Sequence, residues 1–125
     1  MKSFIIGILA AILLLSPCKG FSETFTPEEI TQWRRAAEQG NAIAQHNLGV
    51  AYSEGNGVGL NCAEGVRWFR MAAAQGDADA LYSLGLMFEN GAGVPEDYDE
   101  ALRLYRLAAR KGHKEAQEYL DSVGE

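Results

Sequence analysis

The sequence predicts an all-α fold, a short solenoid of about six helices arranged in antiparallel pairs. Three observations carry that expectation. Like residues recur 36 positions apart, without a gap, from residue 33 to residue 120. Glycines at 40, 55, 76, 91 and 112 fall where helices would end, and glycine adopts the left-handed C-terminal conformation most easily. Thr26, Asn41, Asn61, Asp77 and Asp97, all good N-cap residues, open the segments between them.

The repeat relates Trp33, Phe69 and Tyr105, and beside them Arg34, Arg70 and Arg106. It also relates Ala36-Ala37, Ala72-Ala73 and Ala108-Ala109, then Ala44, Ala80 and Ala116. Leu48-Gly49-x-x-Tyr52 returns as Leu84-Gly85-x-x-Phe88, and Gly55-x-Gly57-Val58 as Gly91-x-Gly93-Val94. A fixed period in this range marks stacked supersecondary units, each too small to bury its own apolar face.

The elements follow in order. Thr26 as N-cap, Pro27 at the first helical position and Glu29 three residues after the cap open a helix over 27–39, which Gly40 ends. Asn41 caps a helix over 42–54 and Asp77 one over 78–90, which stop at Gly55 and Gly91. Asn61-x-x-Glu64 and Asp97-x-x-Glu100 read as capping boxes for helices over 62–75 and 98–111. In the last helix, over 114–122, His113 and Lys114 replace the Asn/Asp cap region. Glu115, Glu118 and Asp121 give that helix the polar outer face of a terminal cap. Alanine and glycine at 44, 49, 72 and 73, and again 36 residues on, let helices approach closely, while aromatics at 33, 52, 69, 88 and 105 fill the space between pairs.

Residues 1–22 read as a signal peptide and 23–125 as the repeat domain, with repeats at about 41–76 and 77–112. A half-repeat helix (27–39) precedes them and a capping helix (114–122) follows. Lys2 supplies a positive start and Phe4 to Leu15 an uncharged apolar run, too short to span ~30 Å of hydrocarbon but suited to a secretory leader. Small residues at Gly20 and Ser22 favour cleavage at Ser22–Glu23, with a site before Phe21 as the second candidate. Leu15-Ser16-Pro17-Cys18 also resembles a lipobox that would lipidate Cys18, although proline fits poorly before the cysteine. The expectation is export to the periplasm or beyond, without stable membrane insertion once the leader is removed.

Charge narrows the partners. Removing Lys2 and Lys19 from 11 basic residues leaves 9 against 17 acidic, a formal charge near −8. Such a domain repels phosphate backbones and shows no basic stripe to compensate, so nucleic acid is excluded as a partner.

With its 36-residue period, its Gly-x-Gly-Val loop and a second helix ending Ala-Ala-x-x-Gly, the chain resembles the Sel1-like repeats, a branch of the tetratricopeptide-like helical repeats. The second copy carries the match from Ala80 through Leu84-Gly85, Phe88, Gly91 and Gly93-Val94 to Asp97, Ala101, Tyr105, Ala108-Ala109 and Gly112. The first copy departs at Gly65, where alanine is expected, and has Asn61 for aspartate. The resemblance implies a scaffold for protein–protein contact, often in the bacterial envelope or secreted. One branch staples each repeat with a cysteine pair; Cys62, alone once the leader is gone, does not fit it.

Chemical groupings are weak. Gly55-x-Gly57 and Gly91-x-Gly93 follow helices rather than strands and occur twice, so they read as turns and not phosphate-binding loops. Ser16-x-x-Lys19 matches a penicillin-recognising motif but lies in the leader. His46 and His113 are far apart in the repeat and lack zinc-site spacing; His46 reads as a variable surface position. No cofactor, metal or catalytic residue is expected, and the chain does not read as an enzyme. Cys62 follows the Asn61 cap at a helix N-terminus that favours thiolate, which makes a thiol-based redox sensor an alternative function. Self-association into a larger structural assembly is another.

The expected function is an adaptor that binds another protein through its concave face. On helix 42–54 the core stripe is Ala44, Leu48, Ala51 and Tyr52, leaving Ile43, His46 and Val50 on the other side. Asp79, Tyr82 and Leu86 occupy that side in the next copy. These six residues are the expected contact patch, with Tyr82 as its anchor; the competing expectation is that Val50 and Leu86 pack against neighbouring helices.

Overall fold

The computed structural model describes residues 25–125. Among them six helices and no strands occur: α1 (Pro27–Glu38), α2 (Ala42–Glu54), α3 (Cys62–Ala74), α4 (Ala78–Asn90), α5 (Tyr98–Arg110) and α6 (Lys114–Ser122). The leader, its cleavage site and the Cys18 lipobox lie outside the described residues. No described helix is long and apolar enough to cross a membrane.

Each helix packs on the one before and the one after it, with the closest associations inside the α2–α3 and α4–α5 hairpins. The result is a linear stack of antiparallel pairs. Its core forms two adjoining clusters. One gathers Ile30, Ala37, Leu48, Ala51 and Trp68, the other Phe69, Leu81, Leu84, Leu104, Tyr105 and Leu120 among others.

The helix ends are built as their residues dictate. Thr26 and Glu29 form a reciprocal capping box, and Asn41 and Asp77 accept amide hydrogens of the following first turns. Gly55 and Gly91 close α2 and α4 in the left-handed conformation, at φ 66° and 63°. The capping boxes expected at α3 and α5 form only by half. Asn61 and Asp97 accept the Glu64 and Glu100 amides, but those glutamates turn to Arg67 and Arg103, at 2.5 and 2.6 Å. A guanidinium three residues on offers a charged, forked donor, which a single backbone amide does not match.

Equivalent contacts recur along the stack. The Phe69 ring covers Gly49, and the Tyr105 ring covers Gly85; a Cβ on either glycine would come within 2.5 Å of the ring. Arg34 lies over Tyr52 at 5.8 Å and Arg70 over Phe88 at 5.6 Å. Gly57 and Gly93 fold their loops onto the start of the helix that precedes their hairpin, against Phe25 and against the Cys62 backbone. The Phe25 amide donates to buried Asn56 at 3.0 Å, fastening the first of these loops.

Candidate functional site

Side-chain contacts join α2, α4 and α6 into one row. His46 on α2 meets Ser83 Oγ on α4 at 3.1 Å. Tyr119 on α6 donates its phenol hydrogen to Glu89 on α4, whose other oxygen accepts from Tyr105 at 2.7 Å. Burial and the hydrogen bond to Glu89 push both of these tyrosines up from the ordinary phenol value.

Along this row the expected patch residues fall in register, one repeat apart. Ile43, Asp79 and Glu115 form the first line, His46, Tyr82 and Glu118 the second, and Val50, Leu86 and Ser122 the third. Their exposure differs. Ile43 is 69% exposed and Asp79 is open to solvent, while Val50, Tyr82 and Leu86 are half-buried and lean on the second core cluster. His46 is not a free surface position. Its ring packs on Phe69 with centroids 5.5 Å apart, and burial foremost lowers its pKa against the opposing pull of Asp77 and Asp79.

Tyr82 occupies the same place one repeat later, 5.5 Å from Tyr105. Its other face stacks on His113, with centroids 4.5 Å apart and planes 18° from parallel. His113 is the piece that motif reading passed over. It stands 36 residues after Asp77, itself 36 after Asn41, and does the same work: Nδ1 accepts the Ala116 amide of α6 at 3.2 Å. Because Nδ1 is the acceptor, Nε2 carries the hydrogen, and it faces Asp79 Oδ1 at 3.1 Å. The register alone would have revealed the role, since only the residue type differs. Burial foremost, followed by Glu115, Glu89 and Glu118, raises the Tyr82 phenol, so carboxylates surround this ring.

Cys62 is half-buried at the start of α3, its sulfur 3.9 Å from the Ser53 carbonyl oxygen. No described cysteine is free, so the expectation of a lone Cys62 thiol is corrected: the sulfur is already engaged. His46 and His113 belong to no group of metal-binding side chains among the described residues.

Known structures share this architecture. A protective antigen of uropathogenic Escherichia coli displaying an SLR fold superposes with a TM-score of 0.70 at 41% identity, covering 76% of this chain and 21% of that one. A Sel1 repeat protein from Oxalobacter formigenes gives 0.67 at 42% identity, covering 70% of this chain and 35% of that one. Cysteine rich protein B of Helicobacter pylori gives 0.69 at 23% identity, over 73% of this chain and 68% of that one, a likeness of fold alone. This chain therefore spans about a fifth and a third of the length of the first two. No curated protein sequence matches it. The Sel1 repeat matches residues 33–41, 42–77 and 78–113, in step with the recurring glycine, aromatic and cap positions, and the chain belongs to the Sel1 repeat family.

Proposed function

We propose that the chain is an exported adaptor that holds another protein against the α2/α4/α6 row. Sel1 repeats are generally non-enzymatic modules of protein–protein interaction. The observation that carries the reading here is the register of Ile43, Asp79 and Glu115 with His46, Tyr82 and Glu118, which sets a continuous line of side chains across three helices with Ile43 open to solvent. Ile43, 69% exposed on the same helix as the half-buried Val50, supports reading this face as a contact patch. Export rests on the leader composition of residues 1–22.

The test is capture from an envelope extract by the exported protein, beside the variant Ile43→Asp. Ile43 is 69% exposed, so this change is expected to leave the fold intact, which circular dichroism checks. A protein retained by the wild type and lost by the variant supports the reading; retention of nothing, or equal retention by both, removes it.

A further inference from the structure

The charges of this chain are sorted by helix. All seven arginines lie on α1, α3 and α5, where carboxylates balance them. The row formed by α2, α4 and α6 carries Glu54, Asp79, Glu89, Glu115, Glu118 and Asp121 against the single cation Lys114. The sorting also has a direction. Across the three lines of the patch, Ile43, His46 and Val50 on α2 give way to Asp79, Tyr82 and Leu86 on α4, then to Glu115, Glu118 and Ser122 on α6. Along these three lines the α2 end carries no carboxylate, and the α6 end carries two.

We propose that this row takes an extended polypeptide segment of uneven chemistry, apolar where it crosses α2 and bearing arginine or lysine where it crosses α4 and α6. The inference deepens the adaptor reading and rests on it. Asp79, Glu115 and Glu118 hold the anionic end; Asp79 and Glu115 face His113 and Glu118 stands 4.0 Å from Lys114, but their side chains are 70%, 67% and 63% exposed and leave room for an incoming cation. Tyr82 lies among them as an aromatic surface. It is held by Tyr105 and His113, so little freedom is lost when the segment packs against it, and the surrounding carboxylates receive the cation. Ile43 receives the apolar end. Three neighbouring helices, each about 10 Å across with its side chains, are crossed by roughly eight or nine extended residues, which makes a short linear segment a fitting occupant. Anionic partners, including nucleic acid and acidic lipid surfaces, meet like charge along most of the row.

Two labelled peptides of about that length test this by fluorescence anisotropy: one with a leucine-rich half and an arginine-rich half, the other with glutamate in place of each arginine. The intact protein is expected to bind the first and not the second, more weakly as salt rises. Neutralising the anionic end with Asp79→Asn, Glu115→Gln and Glu118→Gln together is expected to weaken binding about tenfold or more at low ionic strength. Glu28→Gln, Glu38→Gln and Glu96→Gln, away from the row, serve as the equal-charge control and leave binding unchanged. Equal binding of both peptides, or equal loss in both triple variants, overturns the inference. So does peptide-free self-association that the Asp79, Glu115 and Glu118 changes abolish, because the cationic occupant would then be a second copy of this chain. Envelope capture that Ile43→Asp destroys but the Asp79/Glu115/Glu118 variant leaves untouched keeps the adaptor reading and removes the cationic one. Failure of the peptide and of the capture alike removes both.

Discussion

Gly85 lies under the ring of Tyr105, so closely that a Cβ in its place would stand 2.5 Å from Cε1. The ring has nowhere to withdraw. Tyr82 and Tyr119 flank it with centroids at 5.5 and 4.7 Å, and its hydroxyl is tied to Glu89 at 2.7 Å.

Replacing Gly85 by alanine should therefore destabilise the domain, although alanine is the better helix former. Overpacking of this kind costs about 1–3 kcal/mol, against less than ~1 kcal/mol gained in helix propensity. A melting temperature several degrees below wild type is expected, at ~4–8 °C per kcal/mol for a domain of this size. Pairing Gly85→Ala with Tyr105→Leu should cost less than the sum of the single changes, because the smaller side chain leaves room for the new methyl. A rise in melting temperature for Gly85→Ala alone would show that the ring is not held.

The Glu89 carboxylate receives both the Tyr105 and Tyr119 hydroxyls, binding α5 and α6 to α4 through one side chain. Glu89→Leu leaves both phenols without their acceptor and should lower stability by about 2 kcal/mol, or about 10 °C in Tm. The same arrangement governs alkaline behaviour. Tyr82, Tyr105 and Tyr119 all have folded pKa values raised above the unfolded one, so the stability they contribute is fully present below about pH 10 and is lost as pH rises beyond it. Tyrosinate absorbance should consequently lag in the folded protein and rise together with loss of helix. A smooth titration of all five tyrosines, complete before the helix signal changes, would contradict this.

His113 caps α6 through Nδ1, in the register where Asn41 and Asp77 cap α2 and α4. His113→Ala should cost about 1 kcal/mol, the usual penalty for losing a cap, with His113→Asn recovering most of it. Amide exchange in the first turn of α6 is the sharper readout, and it should quicken in the alanine variant while α2 and α4 stay protected. Uniform acceleration across all three helices would mean that His113 acts through its Tyr82 stack and not through the cap.

The helices were legible because the signals that build them are local. A glycine ending α2 or α4, and an asparagine or aspartate opening a helix, act within a few residues of themselves. Side-chain competition was not legible. The motif at Asn61 and Glu64 is complete, yet Arg67 draws Glu64 away from the cap, and nothing in the motif ranks those two donors. Burial along the α2/α4/α6 row was also hidden, because whether Val50 and Leu86 point outward or lean on the core depends on how far one pair rotates against the next. The register held one further message, which needed the structure to give it meaning. Asp121 stands 36 residues after Gly85, itself 36 after Gly49. α6 therefore lacks the glycine on which the aromatic ring of the following helix rests in the earlier pairs.

His46 is the remaining titratable element of the row, and its equivalence to Tyr82 suggests the variant that isolates it. Burial against Phe69 lowers its pKa in the folded state, which means that folding disfavours the charged imidazolium. The unfolded chain binds the proton more readily. Stability from this residue is thus present above about pH 6.5 and is lost as pH falls through the lowered folded value. Denaturant midpoints measured from neutral pH into the mildly acidic range should decline, and the decline should be shallower in His46→Tyr, which places at 46 the residue found at 82. Carboxylates titrating at lower pH act equally on both proteins and cancel in the comparison. Parallel curves for the two would show that His46 relaxes into solvent when it is protonated and that its packing on Phe69 contributes nothing to the acid limb.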